Sequence, residues 1–236
     1  MAARIAIVSA MREELHALHD DFSELRVERV AGRSFHLGML HGRSVLLVLS
    51  GIGKVAAATT TALLLDRFEV DAVLFTGVAG GLGVGVAVGD VVIGDTLLQH
   101  DLDASPIFPR WEVPLTGRSR FAADAAWSDA LARAAQAALT TSAGSPTVHR
   151  GLVVSGDRFV STATESAALR AALPDALAVE MEGAAVAQVC HEFARPFAVM
   201  RTISDRADDS AAGDFARFVA EVASDVTRRV VRAALA

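Results

Sequence analysis

The sequence predicts an α/β protein, a three-layer α/β/α sandwich with a central mixed, largely parallel sheet. Apolar runs of strand length alternate with helix-like segments, a pattern typical of a sheet covered by helices. Much of the 52% hydrophobic content is Ala and Val, which suits helices with small side chains packed on both faces. We find no internal repeat and no composition shift, so we expect residues 1–236 to form one domain.

The first half of the chain is predicted from apolar strand-like runs and from Ala-, Thr- and Leu-rich helical spacing. The opening run passes directly into a charged segment, which indicates a strand followed by a helix. Between the next two runs, His41 and Gly42 mark a turn. The strands are expected at residues 4–9, 33–40, 43–49, 71–76 and 89–99, and the helices at residues 12–19 and 54–67.

The second half begins with a proline-rich loop over residues 102–120, and a loop of this length inside a compact domain is usually functional. An Ala-rich helix and a linker over residues 141–147 follow. Pro174 ends a later helix because proline cannot continue one. A broad apolar stripe predicts one long helix from residue 214 to the C-terminus. The other strands are expected at residues 149–155 and 197–203, and the other helices at residues 124–139 and 164–173.

Composition excludes several classes of function. The net charge of −6 argues against nucleic acid as the main partner, because phosphate backbones call for basic patches. No apolar run reaches the roughly 18 residues of a membrane span, and the N-terminus does not resemble a signal peptide. The single cysteine, Cys190, excludes an internal disulfide framework and is expected in the core. We therefore expect a soluble cytoplasmic protein.

Polar residues gather where the predicted strands end. In open α/β sheets, ligands bind beyond the carboxyl ends of the strands. The turns that are candidates for one pocket are Ser9–Ala10, Ser50–Gly51, the glycine-rich turn at Thr76–Gly77, Ser155–Gly156 and Ser204–Asp205. Glu180 and Glu182 lie where an apolar run becomes a helix, and an extended segment would point both to one side. They indicate either a polar site or a pair of helix N-terminal acids, which the helix dipole favours.

Two further carboxylates are candidates for acid–base chemistry. Asp205 follows an apolar strand and has Ser204 beside it as an orienting donor, which suits a general acid if its pKa is raised; the alternative is a loop or N-cap acid. If this site carries acid–base chemistry, we expect one of Glu13 and Glu14 on the first helix to turn inward. The alternative is that both are solvated, as such a pair usually is. The glycine-rich segments match neither dinucleotide nor P-loop spacing. The histidines lack ligand spacing, so no metal or cofactor is expected; the best metal alternative is His100, Asp101 and Asp103.

Seven segments, in this order, resemble the methylthioadenosine/S-adenosylhomocysteine nucleosidase branch of the nucleoside phosphorylase/hydrolase superfamily. Each is weak alone, but together they span nearly the whole chain. They are residues 5–14 (IAIVSAMREE), 50–57 (SGIGKVAA), 76–81 (TGVAGG), 88–92 (VGDVV), 154–159 (VSGDRF), 179–185 (VEMEGAA) and 201–205 (RTISD).

The resemblance implies hydrolysis of the N-glycosidic bond of an adenine nucleoside through an oxocarbenium-like transition state. Asp205 would protonate adenine N7, with Ser204 orienting it. Glu14 would position and deprotonate the attacking water, helped by Arg201. Glu182 would hold the ribose hydroxyls and, as an anion, favour the positive charge that develops on the sugar.

The resemblance also implies a binding pocket for the rest of the nucleoside. Met181 would line the ribose, Phe159 would stack on adenine, and the Val160 backbone would contact the base edge. The family commonly forms homodimers in which the neighbouring subunit completes the pocket, and the loop over residues 104–114 is a candidate contributor. The residues expected around the 5′-substituent are Ile52, Ile107 or Phe108, and Phe215.

Two rival functions and two departures from the family pattern define the open questions. A phosphorylase would hold phosphate where the water sits, and Glu14 would repel that dianion. A nucleoside-binding protein without catalysis is the other rival. Val78 stands where the family usually has serine, and loop 102–120 differs from the family's usual sequence. The substrate is therefore methylthioadenosine, S-adenosylhomocysteine or a relative such as aminodeoxyfutalosine.

Overall fold

The computed structural model describes residues 3–139, 146–221 and 223–236. Its strands are β1 (Arg4–Ser9), β2 (Phe22–Val30), β3 (Arg33–Leu40), β4 (Arg43–Leu49), β5 (Ala72–Gly81), β6 (Val91–Gln99), β7 (Phe121–Ala122), β8 (Val148–Ser155), β9 (Ala176–Glu180) and β10 (Phe197–Asp205). Its helices are α1 (Arg12–His19), α2 (Lys54–Arg67), α3 (Ala125–Leu139), α4 (Ala163–Ala172), α5 (Gly183–Glu192), α6 (Ala211–Glu221) and α7 (Ala223–Leu235).

The strands form one mixed sheet in the order β10-β6-β8-β9-β5-β1-β4-β3-β2, with β7 beside β6. β10 also pairs with β5, so five strands close into a ring and the sheet continues from β5 as an open layer. The neighbouring pairs β4–β1, β1–β5 and β5–β10 are all parallel, so their carboxyl ends meet at one edge. The predicted mixed sheet is confirmed. Since one sheet includes every described strand, it supports the proposal of a single domain.

Helices cover both faces of the sheet, because alternate residues of a strand point to opposite sides. Ala6 and Val8 of β1 belong to a buried cluster that includes residues of α2 and α5. Ile5 and Ile7 belong to the cluster on the other face, which includes residues of α1, α3 and α7. The three-layer α/β/α arrangement is therefore confirmed. Cys190 lies buried in the first cluster as predicted, and burial raises the pKa of its thiol to about 12.

Strand β5 differs from its prediction in a way that shapes the site. The expected glycine-rich turn after Thr76 is instead a continuation of the strand, in which Gly80 and Gly81 pair with β9. A Cβ on Gly80 would lie 2.9 Å from both the Asp205 Oδ1 atom and the Ala207 Cβ atom. The glycines therefore let the end of β10 lie directly against β5.

The remaining differences lie at the edge and the C-terminus. β2 was not predicted, because it is an edge strand whose residues are mostly exposed and do not form an apolar run. The predicted C-terminal helix corresponds to α6 and α7 on either side of residue 222. That residue, like residues 141–145 of the predicted linker, lies outside the described residues. None of the described helices combines the length and the apolarity that a membrane crossing requires.

Candidate active site

A cavity of about 320 Å³ lies at the carboxyl edge of the sheet, between the ends of β1, β5, β9 and β10. Most of the site residues predicted from the sequence line it: Ala10, Glu14, Ile52, Val78, Phe159, Glu180, Met181, Glu182, Ser204, Asp205 and Phe215. The sequence analysis missed four lining residues, namely Met11, Ala79, Gly80 and Val179. The only feature of the sequence that could have indicated them is that each adjoins a predicted residue or motif. A larger cleft of about 710 Å³ beside α1 has histidines but no carboxylate among its lining residues, so it does not hold the carboxylates that the sequence analysis predicts for the site.

Glu14 is fixed by three backbone donors. Its Oε2 atom accepts the N–H groups of Ala10 and Met11, each at 2.9 Å, and its Oε1 atom accepts the N–H of Val78 at 3.1 Å. Only 2% of the residue is exposed. Burial raises the pKa of Glu14, although these N–H groups and the charge of Arg201 oppose the rise. The result is a rigid carboxylate in the cavity wall with capacity to accept a further proton.

Glu180 forms a buried ion pair with Arg201. Its Oε2 atom lies 2.6 Å from Arg201 Nη2 and 3.1 Å from Arg201 Nε, and the Ser155 hydroxyl contacts Oε1. Arg201 also donates to backbone carbonyls and lies over the Phe75 ring at 4.1 Å. The guanidinium therefore lies behind the cavity wall and not in it, unlike the substrate-binding position predicted for it. Arg201 acts on Glu14 through its charge.

Glu182 occupies the N-cap position of α5, and its Oε1 atom accepts the N–H of Gly53 at 2.8 Å. Glu180, by contrast, accepts the N–H of Gly183, the first residue of that helix, at 2.8 Å. The sequence analysis offered a polar site or a pair of helix N-terminal acids, and each interpretation fits one carboxylate. Glu180 caps the helix through the Gly183 N–H, and Glu182 accepts the Gly53 N–H at the cavity. Burial and the nearby charge of Glu180 raise the pKa of Glu182 to about 8, against the effect of the Gly53 N–H.

We expect a Glu182→Gln variant to lose part of the pH dependence of stability. The pKa of Glu182 is raised from 4.5 to about 8 in the folded chain, so the folded state binds an extra proton between these values. That stabilising contribution is complete below pH 4.5 and is lost as pH rises through 8. Glutamine does not titrate, so relative to the parent the variant should gain up to about 1.4 kcal/mol per pH unit across this window. Urea unfolding at several pH values measures the difference, and a constant difference would contradict the assignment.

Asp205 is the last residue of β10, and 1% of it is exposed. Its Oδ2 atom accepts the Ser204 hydroxyl at 2.8 Å, and its Oδ1 atom accepts the Ala207 N–H at 2.8 Å. Burial raises the pKa of Asp205, and the charges of Asp208 and Asp214 add to the rise, while the two hydrogen bonds oppose it. A carboxyl group held in this way keeps a proton to higher pH, as a general acid requires.

Two aromatic rings lie at the cavity, and the proline-rich loop does not reach it. The rings of Phe159 and Phe215 meet edge-on with centroids 5.6 Å apart. Val160 is buried and lines a small adjoining hollow. Ile107, 82% exposed, and Phe108 are absent from the wall, in contrast to the prediction for the chain's own loop. In the part of the chain that the structure describes, no group of three His, Cys, Asp or Glu residues could hold a metal ion, including the His100–Asp103 alternative.

Comparisons with known proteins identify the family of this chain. A family model for the phosphorylase superfamily matches residues 4–236. The 5′-methylthioadenosine/S-adenosylhomocysteine nucleosidase of Bacillus cereus (strain G9842) is 38% identical over 230 residues, 97% of each chain. The crystal structure of the nucleosidase of the same name from Neisseria meningitidis, in complex with methylthio-immucillin-A, is 38% identical, covers 98% of both chains and has a TM-score of 0.91.

A further solved structure widens the range of relatives. The futalosine hydrolase of Helicobacter pylori strain 26695 is 32% identical, with a TM-score of 0.89 over 100% of this chain and 98% of that chain. The family model and the Bacillus cereus nucleosidase each match nearly the whole chain. The chain belongs to the phosphorylase superfamily and, within it, to the family of 5′-methylthioadenosine/S-adenosylhomocysteine nucleosidases.

Proposed function

We propose that this enzyme hydrolyses the N-glycosidic bond of 5′-modified adenine nucleosides and releases adenine. The observation that carries the proposal is the placement of Glu14, Glu182 and Asp205 around one cavity of about 320 Å³. Each of these carboxylates has a raised pKa, and each is held by a different set of hydrogen bonds. Groups tuned in this way, converging on a concave site, are typical of acid–base catalysis.

Asp205 supplies the proton to the leaving group. The C–N bond of a nucleoside breaks more easily when adenine departs as a neutral base, so protonation at N7 lowers the barrier. The Ser204 hydroxyl, at 2.8 Å from Oδ2, orients the carboxyl group towards the base. Phe159 stacks on the adenine ring, and the backbone of Val160 contacts the edge of the base.

Glu14 and Glu182 act on the opposite side of the bond. Glu14, fixed by the N–H groups of Ala10, Met11 and Val78, positions the attacking water and takes its proton. Glu182 accepts hydrogen bonds from the ribose hydroxyls and, in its ionised form, stabilises the positive charge that develops on the sugar. With a pKa of about 8, Glu182 is only partly ionised at neutral pH, and the ionised fraction grows as pH rises.

Charge supports hydrolysis over phosphorolysis. Among the described residues that line the 320 Å³ cavity, none is an arginine or a lysine. Arg201 is already bound to Glu180, and Arg12 lies on the wall of the other cleft. A phosphate dianion beside Glu14 would meet a carboxylate without a compensating cation, which is unfavourable in a buried site.

The 5′-substituent lies against apolar residues, namely Met11, Ile52 and Phe215. Ile107 and Phe108 are exposed or partly exposed apolar residues on the proline-rich loop and lie outside the chain's own cavity. We place them in the 5′ pocket of a second copy, so that the active form is a homodimer. A cytoplasmic location fits a small nucleoside substrate and remains a prediction.

The test is release of free base from methylthioadenosine, S-adenosylhomocysteine, aminodeoxyfutalosine, adenosine and inosine, each with and without phosphate. Adenine release from the 5′-modified compounds without phosphate is the expected result and identifies the preferred substituent. Release only with phosphate would move the enzyme to the phosphorylases and remove the role of Glu14. Tight nucleoside binding without turnover would favour a binding protein.

A Val78→Ser substitution is expected to leave activity equal or raise it by a few fold. The Val78 side chain lines the cavity, while its N–H holds Glu14 at 3.1 Å. Serine preserves that N–H and adds a hydroxyl for the water and the sugar. Steady-state kcat and KM on methylthioadenosine check the prediction, with Val78→Ala as the control for lost volume. A sharp fall in both kcat and kcat/KM for serine but not alanine would show that the site requires an apolar surface here.

A further inference from the structure

We propose that Lys54, Asp101 and Asp157 form a positioning network that holds the Gly53 N–H against the Glu182 carboxylate. None of the three charged residues lines the catalytic cavity. The inference rests on the role proposed for Glu182 and extends it to residues that lie outside the cavity and act through Gly53. It gives a joint role to the family-like segments SGIGK and SGD, which follow β4 and β8, two strands that are not neighbours in the sheet.

Three close contacts form the network, which joins the segments that follow β4, β6 and β8. The N–H of Lys54 donates to Asp157 Oδ1 at 2.8 Å, and the N–H of Asp157 donates to Asp101 Oδ2 at 2.8 Å. The Lys54 ammonium lies 2.6 Å from Asp101 Oδ1. Each residue therefore contacts the other two. These charge-assisted hydrogen bonds are short and hold three backbone segments in one arrangement.

Gly53 links this network to the active site. Its φ of +94° lies in a region that L side chains rarely adopt, and a Cβ there would lie 3.2 Å from Asp157 Oδ1. Its N–H donates to Glu182 Oε1 at 2.8 Å, and the next N–H along the chain, that of Lys54, donates to Asp157. The orientation of the Gly53 N–H therefore depends on the Asp157 carboxylate, which holds the N–H one residue further along the chain.

Loss of the network should change the pKa of Glu182, which depends on the charged and polar groups around it. Glu180 and Glu14 raise the pKa of Glu182, and the Gly53 N–H and Arg201 lower it. Displacing the Gly53 N–H removes one of the two lowering contributions. The pKa of Glu182 should then rise further above about 8, and a smaller fraction of the enzyme would hold Glu182 ionised at neutral pH.

An Asp157→Ala variant tests the inference. We expect kcat/KM to fall about tenfold, the value of one hydrogen bond to a charged group, and its acid limb to move to higher pH. Asp157→Asn should restore most of the activity, because the amide oxygen still accepts the Lys54 N–H. Asp175→Ala is the matched control: Asp175 is 52% exposed against 51% for Asp157 and is likewise paired with a cation, Arg120.

Two further measurements separate a positioning role from a merely structural one. In a Glu182→Gln background, Asp157→Ala should cause little additional loss of kcat/KM, because the carboxylate whose ionised form the Gly53 N–H stabilises is already gone. In the ligand-free enzyme, carbon NMR titration of the Glu182 carboxyl should show a higher pKa in Asp157→Ala and in a second variant, Asp101→Asn. An unchanged titration in both variants would overturn the network. A fully active Glu182→Gln enzyme would instead overturn the role of Glu182, and the titration would still decide the network.

Discussion

An Asp205→Asn variant is expected to release adenine about 10²–10⁴-fold more slowly than the parent enzyme, the usual contribution of a positioned general acid. The amide cannot donate the proton that the departing base needs. The fold should be retained, because the asparagine oxygen can accept the Ala207 N–H and its amino group can donate to the Ser204 hydroxyl, in place of the two contacts of Asp205. Steady-state assays with methylthioadenosine measure the loss.

The control for this variant is Asp209→Asn, four residues further along. Asp209 is exposed, lies outside the cavity wall and accepts the Ala163 N–H at 3.4 Å, so its neutralisation should leave kcat nearly unchanged. A second test uses a 5-methylthioriboside with a nitrophenolate leaving group, which departs without protonation. The defect of Asp205→Asn should shrink on that substrate. An equal defect on both substrates would assign Asp205 to binding or folding and not to proton transfer.

A Glu14→Gln variant is expected to lose turnover by a similar factor of about 10²–10⁴ while it keeps substrate affinity. The neutral amide cannot take a proton from the attacking water. Affinity should survive, because the adenine and 5′ groups contact other residues of the cavity. Single-turnover assays measure the chemical step, and calorimetry with adenine and with intact substrate measures binding.

The geometry around Glu14 also predicts a modest loss of stability in that variant. The carboxylate accepts three N–H groups, and an amide has only one oxygen, so at least one of the three donors loses its partner. Urea unfolding of both proteins separates this effect from the catalytic one. Undiminished hydrolysis would show that the water is activated elsewhere, whereas a matched loss of affinity and turnover would show that Glu14 binds the substrate.

The local hydrophobic pattern of the chain was sufficient to predict most helices and strands and the edge of the sheet at which the site lies. The apolar runs of β1, β3 and β4 give way abruptly to polar or turn residues, so the predicted bounds agree with the structure. The carboxyl ends of parallel strands meet at one edge, and side chains such as Ser204 and Asp205 could therefore be grouped before any coordinates were known. Hydrophobic periodicity carries this information because it is set by each segment's own residues.

The sequence by itself determined the fold class, the family and most of the residues around the cavity, whereas the tertiary structure decided which partner each carboxylate has. Glu182 meets the N–H of Gly53, 129 residues away, and Glu14 meets that of Val78, 64 residues away. Arg201 was expected beside the water and lies instead in an ion pair with Glu180. Such contacts depend on strand register and on the pairing of β5 with β10. The hydrophobic periodicity of one segment does not specify how that segment is aligned with a distant one.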